Sequence, residues 1–145
     1  MPRIVFIEPQ APNLHIFSQF PLPRLGTLIL GTIMKRRGWE VEVFVEDLRR
    51  IDYDLLAASD IVGISTITST APRAYAIADK VRAMGLPVLM GGPHVTYLTE
   101  EALGHAVELL VAFNAVKRYP GPLIDSIGLT LLFGLLHWLP LRKRS

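Results

Sequence analysis

Six consecutive residues, Ser65-Thr66-Ile67-Thr68-Ser69-Thr70, carry five hydroxyls. Hydroxyls in such a run either cap a helix or bond the polar groups of a ligand, and capping uses one or two of the five. A second stretch, Gly91-Gly92-Pro93-His94, sets adjacent glycines beside an imidazole. Paired glycines permit positive φ and let a ligand approach the backbone, but they also suit a plain tight turn, and both readings stand. A third, residues 9–23, is rich in proline and holds Asn13, His15, Ser18 and Gln19. The four histidines, His15, His94, His105 and His137, show no metal-ligand spacing. There is no cysteine. That excludes disulfides, thiolate zinc sites, a cysteine nucleophile and a cysteine-held iron–sulfur cluster. The G-x-G-x-x-G dinucleotide fingerprint, the P-loop and the G-x-S-x-G elbow are missing as well. The loops suit binding; no catalytic centre is visible.

The elements that must hold these loops alternate. Ile4-Val5-Phe6-Ile7 is an apolar, β-branched run of the kind buried on both faces of a parallel sheet, and Glu8-Pro9 ends it. Residues 24–37 place Leu25, Leu28, Thr32 and Ile33 near helical spacing, with Gly38 as the stop. Glu40-Val41-Glu42-Val43-Phe44-Val45 alternates like an edge strand. One or two helical turns fit around Leu48, Leu55 and Leu56. Ile61-Val62-Gly63-Ile64-Ser65 is the next buried strand. After it, Ser69 or Thr70 is expected to cap a helix whose inner stripe is Ala74, Ile77, Ala78 and Val81 and which Gly85 ends. Pro87-Val88-Leu89-Met90 reads as a fourth strand, Thr99 as the cap of a brief helix, and residues 107–113 as a fifth strand or a helical continuation. The pattern predicts an α/β, doubly wound, mostly parallel five-stranded sheet of flavodoxin-like or Rossmann-like type, in the order 2-1-3-4-5. Ligands of such sheets sit beyond the carboxyl ends of the strands, which singles out residues 9–23, 65–70 and 91–98.

The 145 residues suffice for one domain, and half of them are apolar. Fifteen basic side chains against thirteen acidic ones leave +2, so the basic isoelectric point near 9.2 does not signal a nucleic-acid surface. Residues 1–116 carry ten basic and twelve acidic groups, and the excess positive charge comes from Lys117, Arg118, Arg142, Lys143 and Arg144. Tyr119-Pro120-Gly121-Pro122 marks a break. Two parts are expected: an α/β domain over residues 1–118, and an apolar C-terminal helix with a basic tail over 119–145. Residues 123–141 are almost wholly apolar. They suit a helix packed on the sheet or one touching a membrane through 123–144 better than a true span, since Asp125, His137 and two glycines interrupt them. The apolar stretch at the N-terminus is too short for a signal peptide, and a cytoplasmic location is expected.

Five segments in order are familiar together: Pro21-Leu22-Pro23-Arg24-Leu25-Gly26, Gly38-Trp39-Glu40-Val41, Asp60-Ile61-Val62-Gly63-Ile64-Ser65, Gly91-Gly92-Pro93-His94-Val95-Thr96, and an opening strand that runs into Pro9. From about residue 3 to 106 the chain resembles the N-terminal cobalamin-binding domain of cobalamin-dependent radical S-adenosylmethionine enzymes. The resemblance implies a corrinoid over the carboxyl edge of the sheet, with its nucleotide tail inserted among the strands. By position, Ser65, Thr66 and Thr68 would contact the tail, and Gly91, Gly92 and His94 would line its slot. Related cobalamin domains bind cobalt through an Asp-x-His-x-x-Gly motif. Here Asn13-Leu14-His15-Ile16-Phe17-Ser18 stands in its place, which makes His15 the candidate lower ligand while an ordinary loop histidine remains the simpler reading. After Ala106 the family pattern is lost, and the absence of cysteine denies these residues a radical cluster. The expected function is a cobalamin-binding module without its own catalytic centre, either standalone or the remnant of a radical enzyme, with a separate radical or methyltransferase protein as a possible partner. The rival reading is a regulatory or protein-interaction module without corrinoid.

Overall fold

The computed structural model describes residues 1–12 and 23–105. Four parallel strands form one sheet: β1 (Arg3–Glu8), β2 (Glu40–Val45), β3 (Ile61–Ser65) and β4 (Val88–Gly91), in the order β2-β1-β3-β4. The expected α/β class and the spatial order of the first four strands are present; residues 107–113, expected as a fifth strand, lie outside the described residues. Register runs Phe6↔Val43 and Phe6↔Gly63 across the centre and Ser65↔Gly91 at the carboxyl end. β1 and β3 are apolar on both faces because helices cover both. The alternating Glu40 to Val45 run sits at an edge, as its pattern requires.

Helix α1 (Leu25–Arg36) covers one face, and α2 (Tyr53–Ala57), α3 (Ala71–Ala83), α4 (Pro93–Tyr97) and α5 (Thr99–Leu103) follow. Gly38 and Gly85 end α1 and α3 with φ of 84° and 78°, as their sequence positions foretell. The inner stripe of α3 is the expected one: Ala74, Ile77, Ala78 and Val81 are buried against Val5, Ile7, Val62, Ile64 and Val88. The stripe of α1 is not. Leu25 and Leu28 are exposed, Thr32 faces outward, and the buried positions are Thr27, Gly31 and Met34. Close approach accounts for the glycine: a Cβ on Gly31 would lie 3.2 Å from Val41, so the helix comes nearest the sheet at Gly31, while Met34 fills the space one turn on.

Three capping expectations also change. The hydroxyl of Thr70 turns back onto Ile67, bonding its N–H and carbonyl at 3.2 and 3.1 Å within a short 3₁₀ turn (Thr68–Thr70), and α3 has no side-chain cap. Ser69 does not cap it either. Thr99 lies inside α5 and donates to the Val95 carbonyl at 3.0 Å. The cap that does form is Asp52, which accepts from the N–H groups of Asp54 and Leu55 at the start of α2. Among the described residues no helix is long and apolar enough to cross a membrane. Residues 119–145, expected as a helix and tail, lie outside the described residues.

Candidate site at the carboxyl edge of the sheet

Side chains alternate along a strand, so Phe6 and Glu8, Gly63 and Ser65, and Leu89 and Gly91 share the face that α1 covers. Toward the carboxyl end this face changes from apolar to polar. Glu8 is 3% exposed. Its carboxylate accepts from the Arg24 N–H at 3.0 and 2.8 Å and from the Thr27 hydroxyl. Arg24 is the residue before α1 and provides no side-chain cap of its own. A carboxylate from the neighbouring strand therefore fills the capping place at a helix end where negative charge is favoured. Arg24 in turn donates from its guanidinium to the Ser65 carbonyl at 2.7 Å and lies 3.4 Å from the Ser65 hydroxyl. Burial pulls this guanidinium below its ordinary pKa, against the opposing attraction of Glu8 and Asp47.

Thr66 follows. Its N–H donates to the Gly91 carbonyl at 2.7 Å, and its carbonyl accepts from the His94 N–H at 3.3 Å, so its backbone is clamped between β4 and α4. Its side chain is wholly buried, and the hydroxyl oxygen has no hydrogen-bond partner among the described residues. A buried hydroxyl left in that state costs about 1–3 kcal/mol. Gly92 has a φ of 101°, and a Cβ there would sit 2.9 Å from the Thr66 nitrogen. Its glycine thus serves the chain's own packing. Gly91 differs: a Cβ would meet nothing within 4 Å, leaving open space on the face it shares with Ser65.

His94 is buried, and both ring nitrogens are engaged, Nε2 with the Tyr75 hydroxyl at 2.9 Å and Nδ1 with the exposed Thr68 hydroxyl at 3.3 Å. The Tyr75 ring stacks on His105, whose Nδ1 meets Asp79 at 2.9 Å. Burial, with Glu101 adding to it, raises the Tyr75 pKa and keeps this phenol a neutral partner. At the far edge, Glu46 takes a bidentate bond from Arg73, 2.6 Å at the closest, and accepts from the Gln10 N–H at 3.1 Å.

The structure therefore brings Ser65, Thr66, Thr68, Gly91, Gly92 and His94 to one end of the sheet. His15 lies outside the described residues, and among those described no cluster of three or more His, Cys, Asp or Glu could hold a metal. Sequence reasoning passed over the Glu8–Arg24–Thr27 cluster. Its signal was a carboxylate closing a fully apolar strand, a position where a charge must be partnered. It also read residues 93–97 as loop, although Pro93 after a glycine is a helix-starting signal.

The model of the B12 binding domain matches residues 18–115, about two thirds of the chain. The chain belongs to the B12-binding domain family. Cobalamin is the ligand of that family. Two relatives come from Chlorobaculum tepidum. A bacteriochlorophyllide d C-8(2)-methyltransferase is 46% identical over 57 residues, which is 39% of this chain and 12% of that protein. A bacteriochlorophyllide d C-12(1)-methyltransferase is 43% identical over 51 residues, 35% of this chain and 11% of that protein. The matches thus cover about an eighth of the length of these curated relatives. No solved structure matches the chain.

The residues of this B12-binding domain fit such a ligand. A corrinoid is fringed with amides and carries a long tail, so it needs scattered hydrogen-bonding groups and a close backbone approach. The hydroxyls of Ser65 and of Thr66, the latter without a partner among the described residues, offer the first, and the open face of Gly91 offers the second.

Proposed function

We propose that this chain holds a corrinoid at the carboxyl edge of its sheet, with residues 1–118 as the binding domain and the nucleotide tail received between β3 and β4. The observation that carries the reading is the Thr66 hydroxyl, fully buried and unpartnered among the described residues, on a residue whose backbone bonds Gly91, where a Cβ would meet open space. In this reading Thr66 and Ser65 bond the tail and Gly91 lets it pass close to the backbone. Gly92 and His94 act one step back. Gly92 lets the chain fold against Thr66, and His94 holds the Thr68 hydroxyl at the rim. When bound, a corrinoid supplies a cobalt centre able to carry an alkyl group. His15 is kept as the candidate lower ligand to that centre.

The resemblance to cobalamin-dependent radical enzymes and the methyltransferase names of the relatives support a place beside alkyl-transfer chemistry. None of the 145 residues is a cysteine, so these residues hold no cysteine-ligated cluster of their own, and a radical or methyltransferase protein is the partner this reading expects. Titration of purified protein with hydroxocobalamin and methylcobalamin, followed by desalting, tests the reading. Retained, near-stoichiometric colour with a shifted spectrum is expected. A folded protein that releases all colour overturns it. His15→Ala, read by the same spectrum, tests the lower ligand.

A further inference from the structure

Arg24 differs from four arginines around this sheet that are ion-paired. Arg3, Arg49, Arg73 and Arg82 each meet a carboxylate: Glu40, Glu42, Glu46 and Asp79. Arg24 makes no ion pair among the described residues. Its guanidinium is half-buried and donates to neutral oxygens alone, the carbonyl and hydroxyl of Ser65. Glu8 and Asp47 attract it through space, but the Glu8 carboxylate makes its hydrogen bonds to the Arg24 backbone N–H and to Thr27 rather than to the guanidinium. A guanidinium has five donors in a planar fork, and the bonds to Ser65 leave several of them for an oxyanion.

The position is as telling as the pairing. Ser65 is the last residue of β3, at the point where strand order reverses between β1 and β3, and the orphaned Thr66 hydroxyl is its immediate neighbour. Among the described residues, a buried hydroxyl without a hydrogen-bond partner and the contact point of a half-buried guanidinium without a direct ion pair thus stand one residue apart on the same edge. Burial already disfavours the charged guanidinium there, which a bound anion would offset.

We propose that Arg24 is the anion anchor of the corrinoid site, bonding the phosphate of the ligand's nucleotide tail. The proposal rests on the corrinoid reading above and adds to it the group that selects a phosphorylated tail. Cobinamide and cobinamide phosphate differ by that phosphate alone, so their affinities for the full chain, measured by spectral titration in phosphate-free buffer, form the test. The wild-type chain is expected to prefer cobinamide phosphate about tenfold, the size of one charge-assisted hydrogen bond. In Arg24→Gln that preference should collapse to near unity. Arg24→Lys should restore part of it, keeping the charge but losing the fork. A purely structural role for Arg24 would weaken both ligands alike and leave the ratio unchanged, which overturns the anchor. Inorganic phosphate that abolishes the preference by binding equally well alone also overturns it, since the site is then one for the free ion. If the folded wild-type chain binds neither ligand nor cobalamin, the corrinoid reading itself fails and the anchor with it.

Discussion

If Thr66 bonds the corrinoid as proposed, its hydroxyl acts in opposite directions on the free and the loaded protein. Buried without a partner among the described residues, it costs the free fold about 1–3 kcal/mol, and a valine of the same shape removes that cost. Thr66→Val should therefore raise the stability of the free chain, by about 1 kcal/mol in a denaturant midpoint. The same substitution should lower corrinoid affinity about tenfold, because a bond made to the ligand is lost. Loss of stability together with unchanged affinity would show that the hydroxyl serves only the fold. At this scale the sequence was partly legible. Clustered hydroxyls and paired glycines pointed to one edge of the sheet, and the structure brings them together there, but types alone could not divide the work. Thr66 is buried and Thr68 exposed, and Gly91 is open while Gly92 is filled by the chain itself. Burial and φ distinguish such neighbours, and both are set by tertiary packing that a one-dimensional pattern does not contain.

The elements are held together at the sheet centre by a single exchange of volume between strands. Phe6 on β1 and Gly63 on β3 are register partners, and a Cβ on Gly63 would lie 2.7 Å from the Phe6 ring. The ring occupies the place a side chain would take, and this lets two buried strands pair under a helix whose own inner face is Thr27, Gly31 and Met34. Gly63→Ala should thus destabilise the fold by about 1–3 kcal/mol, although alanine suits a strand at least as well as glycine. Phe6→Leu in the same chain should recover part of that loss, and a double-mutant cycle read from denaturant midpoints measures the coupling. Purely additive effects would mean that the sheet shifts to admit the methyl group. Strand identity and order were legible because β-branched apolar runs and right-handed crossovers leave few alternatives. The buried side of α1 was not. Its larger residues Leu25, Leu28 and Ile29 are exposed while Gly31 is inside, so hydrophobic spacing pointed to the wrong stripe. At Gly31, close helix–sheet approach selects for small size over apolarity.

For the whole molecule, the main core bears on where the domain ends. The larger buried cluster, between the sheet and α3, draws its members from Val5 to Ala102, and the smaller one under α1 from Ile4 to Ile61. The match to the B12-binding domain stops at residue 115, and the Pro120-Gly121-Pro122 break follows at once. The end of that match and the break after it support residues 1–118 as a folding unit. The truncated chain should unfold in one cooperative transition and hold cobalamin within about twofold of the full chain, since distant and independent regions contribute additively. Its charge should also differ, because removing residues 119–145 takes away Arg142, Lys143 and Arg144 against Asp125 alone. Weaker binding to a cation exchanger checks that the intended piece was made. Cooperativity lost on truncation would instead make the apolar residues 123–141 part of the core. Cooperativity kept with cobalamin lost would assign the C-terminal segment to the wall of the site, leaving the sheet edge as one half of a pocket.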